Sequence, residues 1–234
     1  MNLGQQFQAG GVFMYFILAF GLLTVAFIVE RSVGLYLRFK STPKDFRKNI
    51  LSFISQGDFT AAQDYITMSA NETSIGRVTS VACKLRSAGA GDDALQARMD
   101  EQLTKEISSV DKRTGFLAMF GNVATLFGLL GTVTGLISSF AGVAAASPVE
   151  RANLLSQGIS EALNSTAFGL IAAIPALVAY AIFQNKTEKI VNSLTEQASE
   201  LYHDFLFYTE SHQREEGDNI ITTSQKTDVE NVRN

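Results

Sequence analysis

"GNVATLFGLLGTVTGLISSFAG", residues 121–142, is apolar enough to cross a bilayer, yet carries glycine, serine or threonine at nearly every helical turn. Charge is absent from all of 114–149, and again from 1–29 and 162–185, while the remaining sequence is rich in it. About 20 apolar residues cross a hydrocarbon core of roughly 30 Å, so three membrane helices are predicted. The fold class this implies is an all-α integral membrane protein. Its expected parts are an external N-terminus and first span over 1–30, a cytoplasmic helical segment over 31–113 and a second span over 114–142. An external loop over 143–155, a third span over 156–185, a cytoplasmic helix over 186–212 and a disordered polar tail over 213–234 complete the chain.

The first block competes with a cleaved signal peptide. "MNLGQQFQAGG" has no basic n-region and the apolar run exceeds the usual h-region, so a signal-anchor helix over 10–29 is the better reading. Orientation follows from lysine and arginine. Arg31, Arg38, Lys40, Lys44, Arg47 and Lys48 follow span one; Lys105, Lys112 and Arg113 precede span two; Lys186 and Lys189 follow span three. The loop between spans two and three has only Arg151, which puts the N-terminus outside and the C-terminus in the cytoplasm.

The cytoplasmic segment reads as helices. "TPKDFRKNILSFISQGD" carries Phe46, Ile50, Phe53 and Ile54 on one face, with Pro43 near its start and Gly57 at its stop. Helices over Phe59–Met68 and Thr73–Ala88 follow. After "GAGDD", Asp92 or Asp93 caps a helix carrying Leu95, Met99, Leu103, Ile107 and Val110. No glycine or proline separates that helix from span two, so one helix of about 75 Å is predicted from Asp93 to Ala144. Span three likewise continues through Ile190, Leu194, Leu201, Phe205 and Tyr208, and two such helices imply a long cytoplasmic bundle. That bundle is expected to set subunit contacts and to carry no chemistry.

Within span two, Gly121, Thr125, Gly128, Thr132, Gly135, Ser139 and Gly142 fall at alternating spacings of 4 and 3 and share a helical face. Gly158, Ala162, Thr166, Gly169, Ala173 and Ala176 follow at spacings of 4, 4, 3, 4 and 3 in span three, with Glu161 at its outer edge and Pro175 expected to kink it. Small residues at this spacing let membrane helices pack closely, and a hydroxyl can bond the carbonyl one turn back. The stripes therefore carry two readings, a packing seam and the lining of a pore, and both uses can coexist.

No ionisable side chain lies deep in any span, so a conducting chain would need a partner to bring an acid. The spans contain no His, no Cys and no paired carboxylates; His203 and His212 lie in the polar C-terminal region and Cys83 stands alone. No constellation for an enzyme is visible, and no cofactor or metal is implied. The net charge of −4 comes without a basic run, so nucleic acid is not an expected partner.

"GLLGTVTGLISSF" followed by "GISEALNSTAFGLIAAIPALVAY" resembles the paired signature of the ExbB/TolQ/MotA family of ion-driven motor subunits, in particular its ExbB and TolQ branch. The likeness is strongest over about 110–190, and the order of three spans with a cytoplasmic insert agrees. It implies a bacterial inner-membrane protein forming a homopentamer around two copies of a single-span partner similar to ExbD or TolR. That partner would supply a transmembrane Asp as proton carrier.

In "LLGTVTG" and "NSTAFG", Thr132 and Thr166 match the family's pore threonines, and Glu161 of "GISEAL" matches a carboxylate near the periplasmic mouth. Thr125 and Ser139 extend the pore-lining set; Gly121, Gly128, Gly135, Gly169 and Pro175 form the packing set. Two positions depart from the family. Thr125 stands where many members carry proline, and Thr134 where tryptophan is common. The extra hydroxyls leave proton and sodium drive both open, with protons favoured. The implied role is the pore-forming subunit of a stator that couples the ion-motive force to work on the envelope. A scaffold without conduction, or a gliding or sodium-driven member, is the alternative.

Overall fold

The computed structural model describes residues 10–35, 42–43 and 45–231, with side chains described up to Tyr208 apart from residue 145. Most of the expected external N-terminus, the basic residues Arg38, Lys40 and Lys44, and the last three residues of the tail lie outside this description. The regular structure described is all helical: α1 Phe13–Val33, α2 Phe46–Ile54, α3 Phe59–Ser69, α4 Ser74–Ser87, α5 Asp92–Asp111, α6 Gly115–Ala145 and α7 Pro148–Asn231. Three stretches are long and apolar enough to cross a membrane: Phe13–Val33, the apolar part of Asp92–Ala144 and that of Pro148–Tyr208. The chain divides into two compact units, one of Met1–Arg38 with Asp111–Glu188, the other of Phe39–Val110 with Lys189–Asn234.

The first unit holds the three membrane helices. Phe13, Phe16, Phe20 and Phe27 line one face of α1 and meet Phe116, Phe120 and Phe127 of α6. Phe16 stacks on Phe127 at 5.1 Å between centroids, and Phe27 meets Phe120 edge-on at 5.1 Å and 82°. Lipid tails are as apolar as these rings, so water expulsion does not hold α1 in place; close ring packing does. At the other end of α1, Glu30 forms an ion pair with Arg113, and Arg31 donates to the Thr187 hydroxyl of α7 at 3.4 Å.

Three expected boundaries are corrected here. The predicted unbroken helix through span two is interrupted between α5 and α6 at residues 112–114, where Arg113 takes a left-handed φ of 71°. Such a conformation costs a non-glycine residue about 1–2 kcal/mol, and the contact that accompanies it here is the ion pair to Glu30, far away in sequence. The loop expected over 143–155 shrinks to residues 146–147. Ser147 explains this: its hydroxyl donates to Glu150 Oε2 at 2.7 Å and its N–H donates to the same oxygen at 3.2 Å, while Pro148 opens the helix with a preset φ. The polar residues 150–157 are thus helical. At the far end, α7 continues to Asn231 over the segment predicted to be disordered. No proline follows Pro175 in this helix, and Gly217 alone does not stop it.

The second unit packs α2–α5 with the part of α7 from Lys189 on. Its core joins Phe46, Ile50, Ile54, Ile66, Ile75, Val78, Leu95 and Met99 to Leu194, Leu201 and Phe205. Side-chain caps open α3 and α4. The Asp58 carboxylate accepts from Ala61 N–H at 2.9 Å, the Thr73 hydroxyl accepts from Gly76 N–H at 3.1 Å, and Gly57 reverses the chain at φ 70°. Asp92 begins α5 and accepts from Arg86 at 2.5 Å.

In this unit the Arg77–Glu106 ion pair has a buried carboxylate and a partly exposed guanidinium. Glu106 of α5, only 6% exposed, accepts from Arg77 Nε of α4 at 2.7 Å and from Gln102 at 3.0 Å. Burial alone pushes its pKa up, but the hydrogen bonds and charge of Arg77, aided by Ser74 and Gln102, more than offset it and hold the carboxyl below its usual range.

Candidate functional site

The small-residue faces of α6 and α7 meet each other directly, in an antiparallel register that the short Ala146–Ser147 link imposes. Gly121 lies against Ala176 and Leu177, Gly128 against Gly169, Gly135 against Ala162, and Ser139 against Gly158. A Cβ built on Gly128 would stand 3.2 Å from the Gly169 Cα and 3.2 Å from the Ser165 carbonyl oxygen. One built on Gly158 would overlap the Ser139 hydroxyl. At these glycines the missing side chains bring two backbones together.

Two threonines cross this seam. Thr132 Oγ1 and Thr166 Oγ1 are 2.6 Å apart, and both lie within reach of the Gly128 carbonyl, at 3.0 and 3.2 Å. Both side chains are half-buried. Each hydroxyl has one hydrogen, so one threonine donates to Gly128 while the other donates to its neighbour's oxygen, and the two arrangements interchange without moving a heavy atom. Such a cluster offers a lone pair to an outside donor, or a hydrogen to an outside acceptor, by rotating two O–H bonds. It carries no charge that would hold a carboxylate in a salt bridge.

The other expected site residues scatter. Ser139 is buried, its hydroxyl donating to the Gly135 carbonyl at 2.9 Å. Thr125 is exposed, its hydroxyl donating to Gly121 at 3.1 Å, and Ala124 takes its place in the seam against Gly169. Pro175 is also exposed, and α7 stays a single helix through it. Glu161 is half-buried and does not join the threonine pair. Its carboxylate stands directly against Gly11, which precedes α1 with φ 73°, where a Cβ would collide with it.

The structure adds residues that the periodicity argument missed. Ser165 is fully buried in α7 and faces Gly131. The phenylalanine ladder was readable in principle, since Phe13, Phe16, Phe20 and Phe27 keep helical spacing, but phenylalanine in a membrane span is expected on any face.

A sequence profile described as the MotA/TolQ/ExbB proton channel family matches residues 70–196. The chain belongs to this family. The match encloses α4, α5, α6 and the first half of α7, and with them Thr132, Glu161 and Thr166; α1 lies outside it. The relatives are ExbB and TolQ proteins. The biopolymer transport protein ExbB of Salmonella typhimurium is 32% identical over 114 residues, covering 47% of this chain and 46% of the relative. That of Pseudomonas putida is 41% identical over 86 residues, covering 37% and 26%. The Tol-Pal system protein TolQ of Pseudomonas aeruginosa is 37% identical over 89 residues, covering 38% of each. The chain thus matches about half the length of these relatives or less, and in this MotA/TolQ/ExbB member the hydroxyl pair falls inside the profile-matched residues 70–196.

Proposed function

We propose that this chain is the pore-forming subunit of an ion-driven complex in the bacterial inner membrane, working with a single-span partner similar to ExbD or TolR. The partner supplies a transmembrane Asp, and Thr132 and Thr166 serve as its neutral, reversible hydrogen-bonding partners. The chain assembles as a pentamer around a partner dimer, with its N-terminus periplasmic and its C-terminus cytoplasmic. Protons are the driving ion.

The observation that carries this reading is the 2.6 Å contact of Thr132 with Thr166 over the Gly128 carbonyl. Membership of a proton channel family supports it, as does the absence of any Asp, Glu, Lys, Arg or His from 114–149 and 162–185. A carboxyl that alternates between charged and neutral needs a partner able to donate in one state and accept in the other, and hydroxyls do both. One elementary charge crossing 100 mV releases about 2.3 kcal/mol, so a few ions per step supply useful work.

The close approach of Gly128 and Gly169 favours a second reading, a scaffold in which the seam only packs. Replacing both threonines by valine separates the two. Under the motor reading the double variant assembles normally, counted as a five-subunit ring by native mass spectrometry, but loses proton flux in liposomes containing the co-purified partner. Full flux in the double variant would overturn the motor reading.

A further inference from the structure

Helix α1 meets α7 at three depths. At the inner end Arg31 donates to the Thr187 hydroxyl at 3.4 Å. Midway, a Cβ on Gly21 would stand 3.8 Å from the Ala172 Cβ, an ordinary van der Waals contact. At the outer end the Glu161 carboxylate stands against Gly11: a Cβ there would overlap Oε1 and lie 3.2 Å from the carboxyl carbon and 3.7 Å from Cγ. The inner contact is a hydrogen bond and the middle one is small-residue packing. The outer one sets a carboxylate against bare backbone.

That backbone leads into the start of a helix. The first amides of an α-helix lack intrahelical acceptors, and its aligned peptide dipoles leave the N-terminus positive by about half an elementary charge. Helix α1 brings nothing of its own to meet this. Its N-cap, Val12, makes no side-chain cap hydrogen bond, and its first turn carries no acidic residue. Glu161, for its part, is paired with no cation among the described residues. Two unmet electrostatic needs therefore face each other across the α1–α7 contact. Gly11 allows the approach twice over, by lacking a side chain and by taking a left-handed φ of 73° just before the helix.

We infer that Glu161 is a positioning residue for α1: its carboxylate, set against Gly11, meets the positive end of that helix and docks its outer end on α7. Packing alone would be served by an apolar side chain of the same length. A carboxylate at the edge of a membrane span is costly, and it adds the negative charge that the start of α1 lacks. Water screens charge weakly there, so the attraction between carboxylate and helix end is stronger than on an open surface. Five residues separate Glu161 from Thr166, about 140° around the helix at roughly 100° per residue, which sets this contact apart from the threonine pair. The inference does not depend on ion conduction.

Hydrogen exchange of the full-length chain in nanodiscs, read by mass spectrometry over residues 11–15, tests the role of the charge. Glu161→Gln keeps the length and shape of the side chain and removes its charge. Exchange in the first turn of α1 should then quicken at least threefold, while that of α2–α5 stays unchanged. Glu161→Asp keeps the charge and should recover part of the protection. Exchange at the original rate in the glutamine variant would overturn the inference, because a contact held by shape alone survives that change. A double substitution gives a second reading. Gly11→Ala puts a methyl group where the carboxylate stands, so in that background Glu161→Gln should add less than half of its original increase. Independent, multiplying increases would also overturn the docking role.

Discussion

Gly128 and Gly169 bring α6 and α7 into backbone contact: a Cβ on Gly169 would lie 3.0 Å from the Gly128 Cα and 3.0 Å from the Ala124 carbonyl oxygen. Backbone cannot rotate aside as a side chain can, so Gly169→Ala should destabilise the protein by about 1–3 kcal/mol, as overpacking does. Gly34→Ala is the matched control. Its Cβ meets nothing within 4 Å and its φ of −59° suits any residue, so that change should be neutral or slightly stabilising. Unfolding midpoints of the two variants in one detergent check the contrast.

The threonine pair predicts a graded response. Thr132→Ser and Thr166→Ser keep the hydroxyl and should keep activity within about threefold, given that a lost neutral hydrogen bond costs about 1 kcal/mol and none is lost here. Either single valine leaves one hydroxyl near the Gly128 carbonyl and should cost about tenfold in ion-coupled activity, roughly 1.4 kcal/mol. The unfolding midpoint should move little in all four variants. Flux assays and thermal unfolding on the same preparations check both statements.

How far the sequence foretold this arrangement depends on which interactions are local. The apolar faces of α2–α5 are written at fixed helical spacings, and the core of the second unit is built from them. The early start of α7 was also legible, because Ser147, Pro148 and Glu150 spell a capping box. What the pattern did not contain was long-range. Arg113 itself takes the left-handed turn between α5 and α6, beside its contact with Glu30, 83 residues away in sequence. Glu161 turns to Gly11 rather than toward the threonines for a similar reason: the start of α1 occupies that side. Helical spacing gives the face a residue occupies, but not which neighbour covers that face.

The phenylalanine ladder predicts how α1 is held. Phe127 touches Phe13, Phe16 and Phe20 at 5.1 to 6.4 Å between centroids, so Phe127→Ala removes three ring contacts at once. With each aromatic pair worth about 0.5–1.5 kcal/mol, a loss of about 2–3 kcal/mol is expected, and Phe127→Leu should recover part of it. Titration with a denaturing detergent, followed by a fluorophore on α1, measures the loss.

Glu106 makes the second unit sensitive to acid. Its folded pKa is depressed, so its pairing with Arg77 contributes stability above the unfolded value of about 4.3 and loses it as the pH falls through the lower folded value. Glu106→Gln should cost about 1–3 kcal/mol at neutral pH, since it replaces a charged hydrogen bond to Arg77 by a neutral one, and should flatten the acid limb of the stability curve. Chemical unfolding at pH 7 and at a series of pH values well below the unfolded carboxylate value distinguishes this from a change independent of pH.

Cys83 reports on the same core. It is fully buried among the residues packed around Val78 and Leu95, and burial pushes its thiol up to about 12. Thiolate is the reactive form, and at pH 7 a thiol of that pKa is ionised about a thousandfold less than an ordinary one near 8.5. A maleimide should therefore leave the native protein unmodified for hours and label it within minutes once denatured. Because folding alone protects Cys83, partial opening of the second unit should appear as labelling before the membrane helices unfold; Glu106→Gln, which weakens the α4–α5 contact beside it, should speed labelling, while Phe127→Ala in the first unit should not. Equal acceleration by both variants would mean that the two units unfold as one.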